Sequence, residues 1–293
     1  MTTTTINKVT ITPSGAALGG DITGVDLSSS LTDDQVAAII DAWHQNLVLR
    51  FRGQSLSDAD LIRFSKHFGE LDLAPISSSG KREIPEYPEI VVISNVKEGG
   101  RPIGSLGNAE AEWHTDMSYV ELPPKMSCLY SLEVPEKGGN TSFLNMYAAY
   151  EALPNDLKQA ITGKRCKHDI SRNSAGEVRK GFEEYANELD PRKIPGTYHP
   201  LVCSHPMTGR KCLYLGRRGN AHIEGLDVNE SEALLDKLWA HAIDSEFRWD
   251  QVWQVGDLIF WDNRCTMHRR DAFDDSARRI MHRTQVKGET HPA

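Results

Sequence analysis

The sequence has few cysteines, and their spacing suggests no pairing. There are five, an odd number, widely scattered and without a Cys-x-x-Cys pattern. An odd and dispersed set argues against a disulfide scaffold and against a zinc-thiolate site. We expect each cysteine to be a small buried apolar residue. The five are Cys128, Cys166, Cys203, Cys212 and Cys265.

Long apolar runs and an excess of basic residues are also missing. No stretch approaches the roughly 18 apolar residues of a membrane span, and the polar N-terminus lacks the features of a signal peptide. The 33 Lys and Arg residues face 41 Asp and Glu residues, which gives a net charge of -8. We therefore expect a cytoplasmic protein that binds neither nucleic acid nor membranes. A small anionic ligand is compatible with this charge, because a few local arginines can outweigh the average.

Linkers and internal repeats are absent from the sequence as well. No Pro/Gly/Ser-rich segment and no block of like charge divides the 293 residues. The composition, with 39% hydrophobic and 25% charged residues, is typical of a globular protein with a sizeable core. We expect a single domain over 1–293 that assembles into a homo-oligomer.

Local patterns predict a few helices among many short strands. Thr32 and Ser57 are expected to cap two amphipathic helices, and Asn229, with Glu232 three residues later, a third. A fourth helical region, 148–161, is interrupted at Pro154. Strands are predicted over 9–11, 47–51, 90–94, 126–132, 211–216, 247–253, 257–261 and 279–286. Since there is no regular βαβ alternation, we expect a mostly β fold, an antiparallel sandwich or barrel with flanking helices.

A histidine and an aspartate two positions apart form a candidate metal site. His114 and Asp116 would share one face of an extended strand, and His268 follows another predicted strand. Two histidines and one carboxylate form the facial triad of non-haem Fe(II) oxygenases. The alternative is a histidine that is simply hydrogen-bonded to a nearby aspartate, because a His-x-Asp pair alone has low specificity.

Two arginines near the C-terminus form a candidate anion site. Arg279 and Arg283 would lie on one face of the last strand, about 13 Å apart. Each guanidinium can hold a carboxylate by two parallel hydrogen bonds, so the pair could bind a 2-oxoglutarate tail and an acidic substrate. The alternative is that one or both reach solvent from the edge of a sheet.

These motifs occur together in a family that the chain resembles over nearly its whole length. It resembles the Fe(II)/2-oxoglutarate-dependent oxygenases typified by taurine dioxygenase and 2,4-dichlorophenoxyacetate dioxygenase, the TauD/TfdA family. The resemblance runs from segments 11–15 and 22–27 to the C-terminal arginine strand. Its most specific marks are Trp113-His114-Thr115-Asp116, Gly138-Gly139-Asn140-Thr141, segment 146–153, Trp261-Asp262-Asn263-Arg264 and Arg278-Arg279-Ile280-Met281-His282-Arg283.

The resemblance implies a fold, a reaction and roles for particular residues. The fold would be a double-stranded β-helix, or jelly roll, and the cofactors Fe(II), 2-oxoglutarate and O₂, with succinate and CO₂ as products. His114, Asp116 and His268 would bind the iron. Thr141 and Arg279 would hold the distal carboxylate of 2-oxoglutarate, and Arg283 the acid group of the prime substrate.

Departures from the taurine dioxygenase pattern bear on the substrate. Ala74 and Ser77 stand where polar contacts to taurine would be expected, and Glu110 stands where that enzyme has an asparagine. We therefore expect Ala74 and Glu110, with Arg283, to border a pocket for a larger or more apolar acid. The substrate would be a small organic acid, a carboxylate, sulfonate or sulfate, and an aryloxyalkanoate-like acid is favoured over taurine.

Two other functions are compatible with parts of the pattern. A metal-dependent hydrolase would use the same His/Asp/His set to hold Zn²⁺, but it leaves Thr141 and Arg279 without a role. A jelly-roll binding module would explain the arginines but not the three candidate metal ligands.

Overall fold

The structure is a computed structural model that describes residues 2–76, 82–107, 109 and 111–293, and in it β-strands predominate. The helices are α1 (Asp33–Asn46), α2 (Asp58–Lys66), α3 (Met146–Ala152), α4 (Asn155–Ile161) and α5 (Val228–Ala242). The strands are β1 (Thr4–Ile6), β2 (Val9–Pro13), β3 (Gly20–Thr23), β4 (Val48–Phe51), β5 (Val91–Ser94), β6 (Lys97–Glu98), β7 (Arg101–Pro102), β8 (Ser105–Leu106), β9 (Ala111–His114), β10 (Met126–Glu133), β11 (Thr141–Asn145), β12 (Arg165–Asp169), β13 (Gly196–Pro200), β14 (Val202–Ser204), β15 (Lys211–Leu213), β16 (His222–Ile223), β17 (Arg248–Gln251), β18 (Leu258–Asp262), β19 (Thr266–Arg270) and β20 (Ile280–Val286).

Two sheets dominate the architecture. The larger has nine strands in the order β1-β2-β3-β4-β18-β10-β20-β5-β8, and the smaller has four in the order β17-β11-β19-β9. Neighbours in both sheets are antiparallel except β3 with β4 and β5 with β8. The mostly β fold with flanking helices, which the sequence predicts, is therefore confirmed.

One hydrophobic cluster draws its side chains from both sheets. Leu129, Trp261 and Met281 come from the large sheet, and Phe143 and Met267 from the small one. Each is buried, with at most 7% of its surface exposed. His268 is next to Met267 on β19, and Arg283 lies two positions after Met281 on the same face of β20, so the candidate site borders this core.

The first two helices begin where the sequence predicts. Thr32 caps α1 through a capping box with Gln35, and Ser57 caps α2 through one with Asp60. The break at Pro154 also exists, because α3 ends at Ala152 and α4 begins at Asn155.

The predicted start of the third long helix is wrong by two residues. Asp227, and not Asn229, is the N-cap of α5: its carboxylate accepts a hydrogen bond from Glu230 N at 2.8 Å. The carboxylate of Glu230 in turn accepts one from Asp227 N, at 3.3 Å. Both pairs have the spacing of a capping box, and the structure uses the earlier one.

The predicted strands exist with shifted ends, but several strands were missed. Among those missed are β11, which begins at Thr141, and β19, which carries His268. β19 has the sequence Thr-Met-His-Arg-Arg, whose charged residues hide the alternation on which strand prediction relies. All five cysteines are free and buried, as predicted. In the part of the chain that the structure describes, none of the helices has the length and apolar character needed to cross a membrane.

Candidate metal and anion site

His114 and Asp116 lie close together, although not on one strand as predicted. β9 ends at His114, and Asp116 lies in the turn that follows, where Met117 has a φ of 48°. The expectation that an extended strand presents both side chains is therefore wrong. The turn still brings His114 Nε2 to 3.6 Å from Asp116 Oδ1.

His268 joins this pair through strand pairing. β19 pairs with β9 in the register that sets His268 opposite His114, and the two imidazole centroids are 4.1 Å apart. His268 Nε2 lies 3.9 Å from Asp116 Oδ1. One ligand atom from each residue lies within 4.8 Å of the others. We call these three residues the triad.

The protonation of the triad suits a divalent cation. The Nδ1 of His114 lies 2.6 Å from the carbonyl oxygen of Glu112, so a neutral ring donates there and keeps the Nε2 lone pair free. Burial, reinforced by His114, lowers the pKa of His268 to about 3, so the ring of His268 is neutral near pH 7. Burial disfavours the charged form of Asp116, yet the guanidinium of Arg283 holds the pKa of its carboxyl well below the usual range. Two neutral imidazoles and a carboxylate are the donors of the non-haem iron facial triad.

A buried cationic region adjoins the triad. Arg279 is 2% exposed, and its Nε has no hydrogen-bond partner among the described residues. Burial, together with the nearby Arg270, lowers the pKa of Arg279 to about 9. Thr141 lies opposite Arg270 in the pairing of β11 with β19. The same cavity is lined by Arg279, Thr141, Arg270 and the two triad histidines. A buried guanidinium without an acidic partner is costly unless an anion binds to it.

Arg283 contacts both the triad and the cavity that Arg279 lines. Its Nη1 is 3.3 Å from Asp116 Oδ1 and 3.5 Å from Asp116 Oδ2, and it lines the cavity with Arg279. The distance to Oδ1 is longer than the 2.7–2.9 Å that is typical of a charge-assisted hydrogen bond. Both arginines thus face inward, and neither reaches solvent from a sheet edge as the alternative required.

The other two predicted substrate residues are less informative. Ala74 is buried in the same hydrophobic cluster as Ile93 and Leu129, but it does not line the cavity, whereas they do. Its N–H donates to the carbonyl oxygen of Pro88. Glu110, like Ser77, lies outside the described residues.

Several further residues contact the site, and the sequence assigned no role to any of them. Trp253 Nε1 donates to Thr141 Oγ1 at 3.0 Å, and Asn95 Oδ1 accepts from the backbone N–H of Arg279 at 3.0 Å. Ser127 Oγ donates to Asp116 Oδ2 at 2.6 Å. Arg270 follows His268 by two positions on β19, so a correct strand prediction would have placed both on the same face. The others carry no local signal, because their partners are distant in sequence.

Comparisons with known proteins identify the family. A profile of the "Taurine catabolism dioxygenase TauD, TfdA family" matches residues 10–285. The chain is 36% identical to the alpha-ketoglutarate-dependent 2,4-dichlorophenoxyacetate dioxygenase of Cupriavidus pinatubonensis, over 94% of this chain and 96% of that protein. It is 35% identical to the pentalenolactone F synthase of Streptomyces avermitilis, over 91% and 90%. The crystal structure of AAD-2 in complex with Mn(II) and N-oxalylglycine superposes with a TM-score of 0.78, at 32% identity, over 100% of both chains.

The chain therefore belongs to the TauD, TfdA family. It is a 2-oxoglutarate-dependent non-haem iron dioxygenase, whose cofactors are Fe(II), 2-oxoglutarate and O₂. The enzyme class and cofactors predicted from the sequence are confirmed, and this class decides against the hydrolase and the binding module.

Proposed function

We propose that the enzyme hydroxylates a small organic acid, and that the cavity between the triad and Arg279 is its active site. The observation that supports this proposal is that one cavity is lined both by the two histidines of the triad, which form a cation-binding set with Asp116, and by the buried Arg279, which has no acidic partner among the described residues. The first would bind Fe(II), and the second the anionic co-substrate. Succinate and CO₂ would be formed along with the hydroxylated product.

In this proposal His114, Asp116 and His268 hold the metal through Nε2, a carboxylate oxygen and an imidazole nitrogen. Fe(II) bound there, with 2-oxoglutarate and O₂, would supply the oxidising power for hydroxylation. The contact of His114 Nδ1 with Glu112 O fixes the tautomer that the metal requires. The buried walls, which include Ile93, keep bulk water from the reacting centre.

Arg279 and Thr141 would hold the distal carboxylate of 2-oxoglutarate. The Asn95 side chain fixes the backbone of Arg279 at the point where β20 begins. The indole N–H of Trp253 is only a donor, so Thr141 Oγ1 accepts there and its own proton is free to reach a carboxylate. A guanidinium and a hydroxyl then offer donors to one anion.

Arg283 would bind the acid group of the prime substrate, at the end of the cavity near Asp116. An aryloxyalkanoate-like carboxylate is favoured over taurine, with sulfonates and sulfates as further candidates. The similarity to the 2,4-dichlorophenoxyacetate enzyme supports this choice. We propose that the small Ala74 leaves room for an apolar body and that Glu110 borders the same pocket.

A substrate panel tests the proposal. Succinate formation would be measured with 2,4-dichlorophenoxyacetate, an alkyl sulfate, an alkyl sulfonate and taurine, each above the background without prime substrate. We expect aryl or alkyl acids to exceed taurine. Arg283→Met should lose this stimulation and still bind 2-oxoglutarate. Arg278→Met is the matched control, because Arg278 pairs with Glu133 at the surface. Good activity of the wild type on taurine would contradict the proposed substrate class. If Arg283→Met loses the binding of both 2-oxoglutarate and the prime substrate, the role proposed for Arg283 is wrong.

We further propose that the two main sheets form the double-stranded β-helix of the family and that 1–293 is one domain. The hydrophobic cluster shared by both sheets supports this arrangement. A homo-oligomeric state and a cytoplasmic location stay predictions.

A further inference from the structure

A buried chain of hydrogen bonds ends on the triad carboxylate. Ser127 Oγ lies 2.6 Å from Asp116 Oδ2 and also contacts Asn263 Nδ2 at 3.0 Å and Gln285 Nε2 at 3.1 Å. Trp261 Nε1 lies 2.9 Å from Asn263 Oδ1. All five side chains are buried, so water does not compete for these bonds.

The directions of the bonds in this chain follow from its two ends, an indole N–H of Trp261 that only donates and a carboxylate of Asp116 that only accepts. An indole N–H can only donate, so the Asn263 atom that faces Trp261 is the carbonyl oxygen and its amide group faces Ser127. Ser127 Oγ therefore accepts from Asn263, and it accepts a second bond from Gln285. A hydroxyl has two lone pairs and one proton. With both lone pairs engaged, the Ser127 proton can only point to Asp116 Oδ2.

We propose that Ser127 is a positioning residue that occupies Asp116 Oδ2 and so offers only Oδ1 to the metal. Oδ1 is the oxygen that faces the other two triad residues, at 3.6 Å from His114 Nε2 and 3.9 Å from His268 Nε2. Ser127 thus makes Asp116 a one-oxygen ligand and leaves more coordination positions for co-substrates. The inference rests on the proposed metal role of the triad.

Ser131 provides a natural comparison on the same strand. Both serines are fully buried on β10. Ser131 Oγ donates to the carbonyl oxygen of Gln254 at 2.6 Å and accepts from the backbone N–H of Asp257 at 2.9 Å, and none of its hydrogen bonds to described residues involves the triad. If buried serines of β10 matter only for stability, alanine substitutions at the two positions should have similar effects on metal binding.

The test is a titration of the metal-free protein with Co(II), followed by the visible absorption of the bound ion. We expect Ser127→Ala to weaken Co(II) binding by about ten-fold or more, the lower range for loss of an outer partner of a metal ligand. The absorption of its Co(II) complex should also change at saturation, because Asp116 can then offer both oxygens. Ser131→Ala should keep the wild-type affinity and spectrum. Wild-type affinity and spectrum in Ser127→Ala would overturn the proposal.

Two further variants keep the result interpretable. Should Ser127→Ala fail to fold, Gln285→Met decides: it frees one lone pair of Ser127 and should weaken Co(II) binding in the same direction, and an unchanged affinity would overturn the proposal. His268→Ala separates the metal role of the triad from the positioning role of Ser127. If it binds Co(II) like the wild type, the metal role of the triad is wrong. If it loses Co(II) while Ser127→Ala does not, only the role of Ser127 is wrong.

Discussion

Two buried clusters among the described residues have similar side chains and very different surroundings. The first is the triad, and the second, which we call the His205 cluster, consists of His205, Asp262 and Cys265. In each, the possible ligand atoms lie within 4.8 Å of one another. Residue types and distances alone therefore do not distinguish them.

The hydrogen bonds of His205 and Asp262 leave neither residue a lone pair with which to bind a metal. His205 Nδ1 accepts from the backbone N–H groups of Met207 and Thr208, so the ring proton is on Nε2, which donates to Asp262 Oδ2 at 3.0 Å. Arg264 donates to both oxygens of Asp262, at 2.8 and 2.6 Å. The carboxylate and the imidazole have thus already used the lone pairs that a metal needs.

The triad has the opposite pattern. His114 donates from Nδ1 and keeps Nε2 available. Asp116 has one oxygen engaged by Ser127, while the other faces the two histidines and has only the long 3.3 Å contact with Arg283 Nη1. The arginines differ in the same way: Arg264 has its carboxylate, whereas Arg279 has no acidic partner among the described residues. The comparison teaches that lone-pair occupancy, and not composition, separates a binding site from a structural ion pair.

The largest expected effect is that of removing a triad histidine. His268→Ala should abolish substrate-dependent succinate formation, because a facial triad cannot hold its metal with two ligands. Circular dichroism and urea unfolding should show a folded protein. If His268→Ala keeps substrate-dependent turnover, the triad is not the metal site, and the proposed difference between the two clusters is wrong.

Removing the histidine of the other cluster should do the reverse. His205→Ala deletes a hydrogen bond to a buried carboxylate and should lower the free energy of unfolding by about 1.5–3 kcal/mol. Turnover at a temperature where the variant is folded, and metal content, should match the wild type. If His205→Ala loses bound metal, the metal binds at the His205 cluster and not at the triad.

The contrast between the arginines gives a third prediction. Arg279→Lys should raise the KM for 2-oxoglutarate by about ten-fold or more, because Lys cannot replace a two-bond guanidinium contact with a carboxylate. Thr141→Val should act in the same direction and less strongly. Arg264→Lys is the control: it should lower stability and leave this KM unchanged. An equal KM in all three variants would locate the co-substrate elsewhere.

The smallest expected effect concerns a buried histidine outside both clusters. Burial, with His199 and Arg217 nearby, lowers the pKa of His168 to about 3, and neither ring nitrogen has a hydrogen-bond partner among the described residues. The unfolded chain, with a histidine pKa of about 6.5, binds a proton that the folded one does not. The neutral, buried His168 therefore makes its whole contribution to the free energy of unfolding above about pH 6.5. As the pH falls below that value, this contribution decreases by at most about 1.4 kcal/mol per pH unit.

Urea unfolding between pH 7 and 5 measures this dependence. His168→Phe should show a smaller fall in the free energy of unfolding than the wild type over that range. Equal slopes would mean that His168 does not contribute to the acid sensitivity.

The sequence predicts the members of the triad and the two inward arginines better than it predicts their supports. His114 and Asp116 stand in a recognisable motif, and His268 and Arg279 are identified by the resemblance to the family, in which an arginine follows the second histidine by the same 279 − 268 = 11 residues. The strand that carries His268 was missed because charged residues obscure its alternation. Ser127 and Trp253 act through partners more than ten positions away, a relation that no local pattern encodes. The tautomers of His114 and His205 depend on backbone groups that only the fold brings near.

The most direct test of the account is a count of the Co(II) ions bound per chain by the wild type, His114→Ala and His205→Ala. All three proteins would be prepared metal-free and measured under the same conditions by equilibrium dialysis. We expect one ion in the wild type, none in His114→Ala and one in His205→Ala. Loss of the ion in His205→Ala with retention in His114→Ala would contradict it.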